Sequence, residues 1–150
     1  MDDAFRDEFK ELFLQTKNQI EDVFDLLATD MPEMAMNLYR NLGKALPDYI
    51  RKAQKLPEPC IENLIGIKER YIDWLKAQLK SCELFQKHLE NPNGITLKQW
   101  RDSFTDIKKL QNKLGRLIFN SQVFQNLSED QYVSLKMFLF SLEPIYQKLR

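Results

Sequence analysis

The side chains able to do chemistry in this chain are few, and their spacing works against them. There is one histidine, His88, and there are two cysteines, Cys60 and Cys82. A thiol becomes a nucleophile when a neighbouring base or a positive field draws off its proton. Cys60 stands at the start of a predicted helix, where the helix dipole would favour the thiolate. Its only imidazole partner lies 28 residues along the same helix, roughly 40 Å away at 1.5 Å per residue. Cys82 and His88 are six residues apart, which sets them about 120° apart round a helix and well over a turn apart along it. Neither pair can form while that helix is unbroken. Cys82 therefore reads as a small apolar filler, and His88 as a boundary residue near the turn that follows.

Metal chemistry meets the same shortage. A di-metal site in a helical bundle needs Glu-x-x-His on two helices, yet Phe85 stands three residues before the single His88. A structural zinc takes four Cys or His ligands, and the chain has three such residues. Its four glycines (43, 66, 94 and 115) are too scattered for a phosphate-cradling loop. Glu69, Asp73, Lys76 and the Glu83–Lys87 pair sit at helix-neighbour offsets, which is ordinary surface support. The expectation is a protein with no catalytic residues, no cofactor and no metal, not an enzyme.

The elements that carry these residues are helical throughout. Phe5, Phe9, Leu12, Phe13, Thr16, Ile20, Val23 and Leu27 recur at helical spacing. Asp30-Met31-Pro32-Glu33 is a helix-start pattern, followed by a stripe of Met31, Met34, Ala35, Leu38, Tyr39, Leu42 and Leu46. Pro47 removes a backbone donor and predicts an end or a kink, with Tyr49 to Leu56 as a short extra segment. Leu56-Pro57-Glu58-Pro59 is the strongest breaker in the chain. A third helix follows from about Cys60 to Leu89, with its main stripe through Ile61, Leu64, Ile65, Ile72, Leu75, Leu79, Cys82 and Leu89.

Asn91-Pro92-Asn93-Gly94 is turn chemistry and predicts a helical hairpin. In the fourth helix Thr96 and Gln99 fit a capping box, with Ile95 stapled to Trp100; Ser128, Gln131, Leu127 and Tyr132 repeat the design in the fifth. The fifth helix is apolar nearly all round, through Val133, Leu135, Met137, Phe138, Leu139, Phe140 and Leu142. A helix without a polar face belongs at the centre of a bundle. Pro144 would kink it before Ile145, Tyr146 and Leu149. The fold expected is all-α: one domain over residues 1–150, an antiparallel bundle of about five helices with the C-terminal helix central.

Three features stand out from that scaffold. Ile67, Tyr71, Trp74 and Phe85 form a second stripe on the third helix, turned about 100° from the first. Either the helix is buried on two sides or this stripe is a partner-binding face, and Tyr and Trp dominate interface hot spots. Charge is also uneven: residues 1–50 carry 5 basic and 11 acidic side chains, a net of −6, balanced by +6 in the rest. Lys108, Lys109, Lys113 and Arg116 cluster on the fourth helix. Either helix one docks there and neutralises them, or they form a basic strip for an acidic partner or nucleic acid. Gly66 and Gly115 stand inside predicted helices at about 1 kcal/mol each relative to Ala; they predict a close helix crossing.

Composition sets the remaining bounds. A hydrophobic fraction of 43% with ten Phe, five Tyr and two Trp excludes disorder. Zero formal charge leaves no overall nucleic-acid footprint. The acidic start Met1-Asp2-Asp3 lacks the basic, apolar character of a secretory leader, and no run is long enough for a membrane span. Two distant cysteines fit a reducing compartment. The reading is a cytoplasmic, non-enzymatic adaptor, chaperone or regulatory subunit that presents a helix face to another protein or to a second copy of itself. Coating a lipid or other apolar surface is the alternative, and nucleic-acid contact through the basic strip comes after that.

Overall fold

Five helices and no strand make up the described part of the computed structural model, which covers residues 2–28, 31–121, 123–124 and 127–140. They are α1 (Asp3–Ala28), α2 (Pro32–Gln54), α3 (Glu62–Glu90), α4 (Gly94–Ser121) and α5 (Glu129–Phe140). The all-α bundle expected from the spacing is what the chain forms. Leu142, Pro144, Ile145, Tyr146 and Leu149 lie outside the described residues, as does Asp30.

Contacts between neighbours fix their relative direction. Tyr39 meets Phe85 while Lys68 reaches Leu56, so position falls along α2 as it rises along α3. Phe85 meets Trp100 and Trp74 meets Gln111, which gives the same relation between α3 and α4. Gln19 and Tyr49 join α1 to α2 through a 2.7 Å hydrogen bond.

Two aromatic clusters fill the interior. At one end Phe9 stands edge-on to Tyr71 at 5.2 Å between ring centres, and Phe13 packs against Trp74 and Phe138 at 6.0 and 6.2 Å. At the other, Phe85 lies 5.0 Å from Tyr39 and 4.7 Å from Trp100. Such pairs contribute about 0.5–1.5 kcal/mol beyond the area they bury.

Helix ends correct several expectations. Pro47 does not end α2, which runs through it to Gln54. Pro47 is exposed, whereas Leu46, Ile50 and Ala53 on either side of it are buried, and that packing holds the helix across the missing donor. The N-cap of α4 is Asn93 rather than Thr96: the Thr96 amide donates to Asn93 Oδ1 at 2.9 Å, and the Asn93 amide donates to Thr96 Oγ1 at 3.2 Å. The box is real but starts three residues early. Ile95 is 73% exposed and staples nothing. The second box is made as expected, with Ser128 N donating to Gln131 Oε1 at 3.0 Å and Gln131 N to Ser128 Oγ at 3.2 Å.

The breaker at 56–61 is clamped from both flanks by two buried charges. Asp2 accepts the amides of Cys60 at 2.9 Å and Ile61 at 3.2 Å, satisfying donors that α3 leaves open. Lys68 donates to the Leu56 carbonyl at 2.8 Å and pairs with Glu58.

The glycines mark close packing. A Cβ on Gly66 would lie 3.3 Å from Leu117 of α4, and one on Gly115 only 2.8 Å from Phe140 of α5. The crossings are therefore side chain onto backbone, and they involve two different helix pairs. Gly43, inside α2, faces Cys82 in the same way at 3.0 Å.

Candidate functional site

The second stripe of α3 is interior. Ile67, Tyr71 and Trp74 are fully buried and Phe85 nearly so, so these four do not form a partner-binding face. The stripe expected to be the main one is the less covered: Ile61 and Ile65 are exposed, and Ile72, Leu79 and Leu89 are half-buried. The cause is the number of neighbours. Rings from α1, α2, α4 and α5 all converge on the Tyr71–Trp74–Phe85 side. Its polar atoms are matched internally. Tyr71 shares a 2.9 Å hydrogen bond with Thr16, and Trp74 Nε1 donates to Gln111 Oε1 at 3.2 Å. Gln111 Nε2 in turn donates to the Phe138 carbonyl at 2.8 Å, which ties α3, α4 and α5 together.

Apolar side chains also face outward on α5, as Met31 and Met34 do at the start of α2. Phe138 and Leu139 are buried, but Tyr132, Val133 and Met137 are 45%, 47% and 57% exposed. Over its described residues α5 is thus a rim helix with one side covered, not the central helix that its apolar composition suggested. Twelve residues make a short helix whose buried side chains are Leu135, Phe138 and Leu139, while Tyr132 meets Phe119 of α4 edge-on at 5.4 Å.

Beside that exposed side runs a groove of about 330 Å³ between α1 and α5, lined by Glu21, Asp25, Asp130, Val133, Ser134, Met137 and Phe138. Among the described residues the lining holds three carboxylates and no cation. Lys17 lies buried beneath it, paired with Glu21, with its Nζ 3.4 Å from Ser134 Oγ and 5.7 Å from the centre of the Phe138 ring. That cation holds the floor in place and is itself covered.

The basic strip is where the spacing put it. Lys108, Lys109, Lys113 and Arg116 are all exposed on α4. Among the described residues no ion pair joins α1 to α4. The pairs on α1 are local, Arg6 with Asp3 at 3.5 Å and Lys10 with Asp7 at 3.8 Å. Neutralisation of the strip by helix one is therefore not what the contacts show.

No family model matches the chain, and neither the curated proteins nor the solved structures yield a significant match.

The groups considered for catalysis stay apart. Cys60 is exposed and Cys82 buried. Burial pushes the Cys82 thiol up to about 12, so it is a neutral thiol across the ordinary pH range. His88 Nδ1 lies 2.8 Å from Thr96 Oγ1, beside the hairpin. Among the described residues no three His, Cys, Asp or Glu side chains converge as metal ligands, and no helix is long and apolar enough to cross a membrane.

Sequence reasoning missed Tyr132, Val133 and Met137 as outward-facing residues, and missed Asp2, Lys17 and Lys68 as buried charges. The first group carried a usable signal. Glu129, Asp130, Gln131, Ser134 and Lys136 interrupt the apolar run, and a 12-residue helix cannot be enclosed on every side without several partners.

Proposed function

We propose that this protein is a non-catalytic helical bundle that binds another protein, and that its docking surface is the α1/α5 groove, taking a basic amphipathic helix. The observation that carries the reading is the exposure of Val133 and Met137 beside Glu21, Asp25 and Asp130. Val133 and Met137 are one helical turn apart and so form one continuous apolar edge of the groove, against which the apolar face of an amphipathic helix can lie. Methionine is unbranched and polarizable and adapts to varied partners. A rim of carboxylates steers a cationic ligand and rejects an acidic one.

The test is fluorescence anisotropy with two labelled helical peptides of identical apolar face, one rich in Lys and one rich in Glu. The Lys peptide is expected to bind the full chain, and to lose binding to the Val133→Asp/Met137→Asp variant. Equal binding of both peptides, or none of either, overturns the proposal.

The exposure of Lys108, Lys109, Lys113 and Arg116 supports one second reading, contact with nucleic acid. It requires an affinity that falls steeply as salt rises. No electrophoretic shift at low ionic strength would end it.

A further inference from the structure

A second opening lies on another side of the bundle, between α2 and α3. It is a cleft of about 520 Å³, inside the range of small-molecule sites. Its inner wall is Tyr39, Leu79, Cys82 and Phe85, and its mouth carries Arg40 and Lys44 from α2 with Glu83 from α3.

Three departures from ordinary helix design coincide there. Gly43 sits in mid-helix, a placement that disfavours the helix relative to alanine. Its missing side chain lets α3 approach until a Cβ would stand 3.0 Å from that of Cys82. Arg40 and Lys44 are exposed like charges spaced i, i+4, an unfavourable pairing. Among the described residues neither forms an ion pair, unlike Lys17, Lys52 and Lys68. The third departure is the cleft itself, an opening of this size between two helices that pack side by side. Local rules broken together at one place mark sites of function.

The floor is dry in character. Tyr39 OH shares 2.9 Å with Ser81 and receives the Trp100 indole N–H at 3.3 Å, so its polar capacity is met from within the protein. What the cleft offers a ligand is a half-buried Leu79 over a floor of nearly closed Tyr39, Cys82 and Phe85, with Gln86 beside them, and at the mouth two cations against one carboxylate.

We infer that the α2/α3 cleft binds a small anionic amphiphile, a molecule with an apolar body and a carboxylate or phosphate head held by Arg40 and Lys44. This site is independent of the α1/α5 groove and of the protein-binding reading placed there.

The test is an NMR titration of the full chain with octanoate, octyl phosphate and octylamine as probes. Saturable shifts centred on the amides of Tyr39, Gly43 and Cys82 are expected with the two anions and not with the amine. Which anion binds more tightly identifies the head group. Arg40→Ala/Lys44→Ala should keep its far-UV circular dichroism and weaken anion binding by about tenfold or more, the equivalent of 1.4 kcal/mol. Arg40→Glu/Lys44→Glu should reverse the preference and favour octylamine. The inference is overturned if octylamine binds the native chain as well as octanoate does, if the shifts fall outside the cleft, if no saturable shift occurs, or if the charge variants leave affinity unchanged.

Discussion

Helices α3 and α5 both carry more apolar surface than a one-sided helix needs, and the bundle treats the two in opposite ways. On α3 the extra stripe, Ile67, Tyr71, Trp74 and Phe85, is buried because four other helices send rings onto it. On α5 Val133 and Met137 stay about half exposed, and Tyr132 is 45% exposed although it meets Phe119 edge-on, because among the described residues fewer elements reach this short helix. Apolar width on a helix is thus a statement about how many partners it could take. The topology decides whether those partners come from the same chain.

The sharpest way to break this comparison is at the buried member. Trp74→Ala removes the largest fully buried side chain together with contacts to Phe13, Tyr71 and Phe138. Truncations of this kind cost about 3–5 kcal/mol, a large share of the 5–15 kcal/mol that a typical domain possesses. Urea denaturation followed by far-UV circular dichroism should show a strongly lowered midpoint or no folded baseline. A change under 1 kcal/mol would mean that α3 is not the centre of the core.

Alkaline pH probes the same interior by another route. Burial raises the Cys82 thiol from 9.0 to about 12, and Tyr39 and Tyr71 also move upward, burial again being the largest cause. Each of these groups is neutral when protonated, so the folded state holds its proton more tightly than the unfolded chain does. Their contribution is fully present below the unfolded values and is lost as pH rises from about 9 towards the raised folded values. Each unit of difference is about 1.4 kcal/mol per group. Denaturation midpoints should therefore be flat from neutral pH to about 9 and fall above it, with a shallower fall in Cys82→Ala.

Much of this was legible in the sequence, and the part that was not has a physical cause. Five helices followed from a periodicity sustained over long segments. The hairpin at Asn91–Gly94 followed from turn residues whose preferences are local. Pro47 does not end α2, because its cost is local while the packing of Leu46, Ile50 and Ala53 that carries the helix past it is tertiary. Asn93 was passed over for Thr96 because Asn-x-x-Thr and Thr-x-x-Gln both fit a cap pattern, and only the backbone shows which frame the turn uses. The α3 stripes were ranked in the wrong order because periodicity gives the angle between two faces and nothing about which one meets more neighbours. Asp2, Lys17 and Lys68 were invisible as buried groups because each is buried by a partner far away in sequence or by a carbonyl.

Where α3 and α5 meet, Gln111 supplies a prediction of intermediate size. It accepts from Trp74 and donates to the Phe138 carbonyl, so Gln111→Leu leaves a buried indole N–H and a carbonyl without their partner. Each unsatisfied buried group costs about 1–3 kcal/mol. The midpoint should drop by less than for Trp74→Ala, and hydrogen exchange should quicken in α5 before α3. Equal quickening in both would show that α5 is not separately attached and would weaken the contrast drawn between them.

The smallest effect on stability is expected at the open member of the pair. Val133→Asp and Met137→Asp place charge on side chains already about half exposed, and surface changes of this kind stay within about 0.5 kcal/mol. The same two substitutions should abolish binding of a basic amphipathic helix, because they remove both apolar anchors of the groove. A carboxylate at either position is also unfavourable for the fold's own electrostatics, standing beside Glu21, Asp25 and Asp130, so a small loss at low salt should vanish as salt rises. A midpoint unchanged together with lost binding separates the two helices as the comparison requires: one apolar excess holds the protein together, the other is held open for a partner. A loss of several kcal/mol would instead place Val133 and Met137 in the core, and the difference between α3 and α5 would disappear.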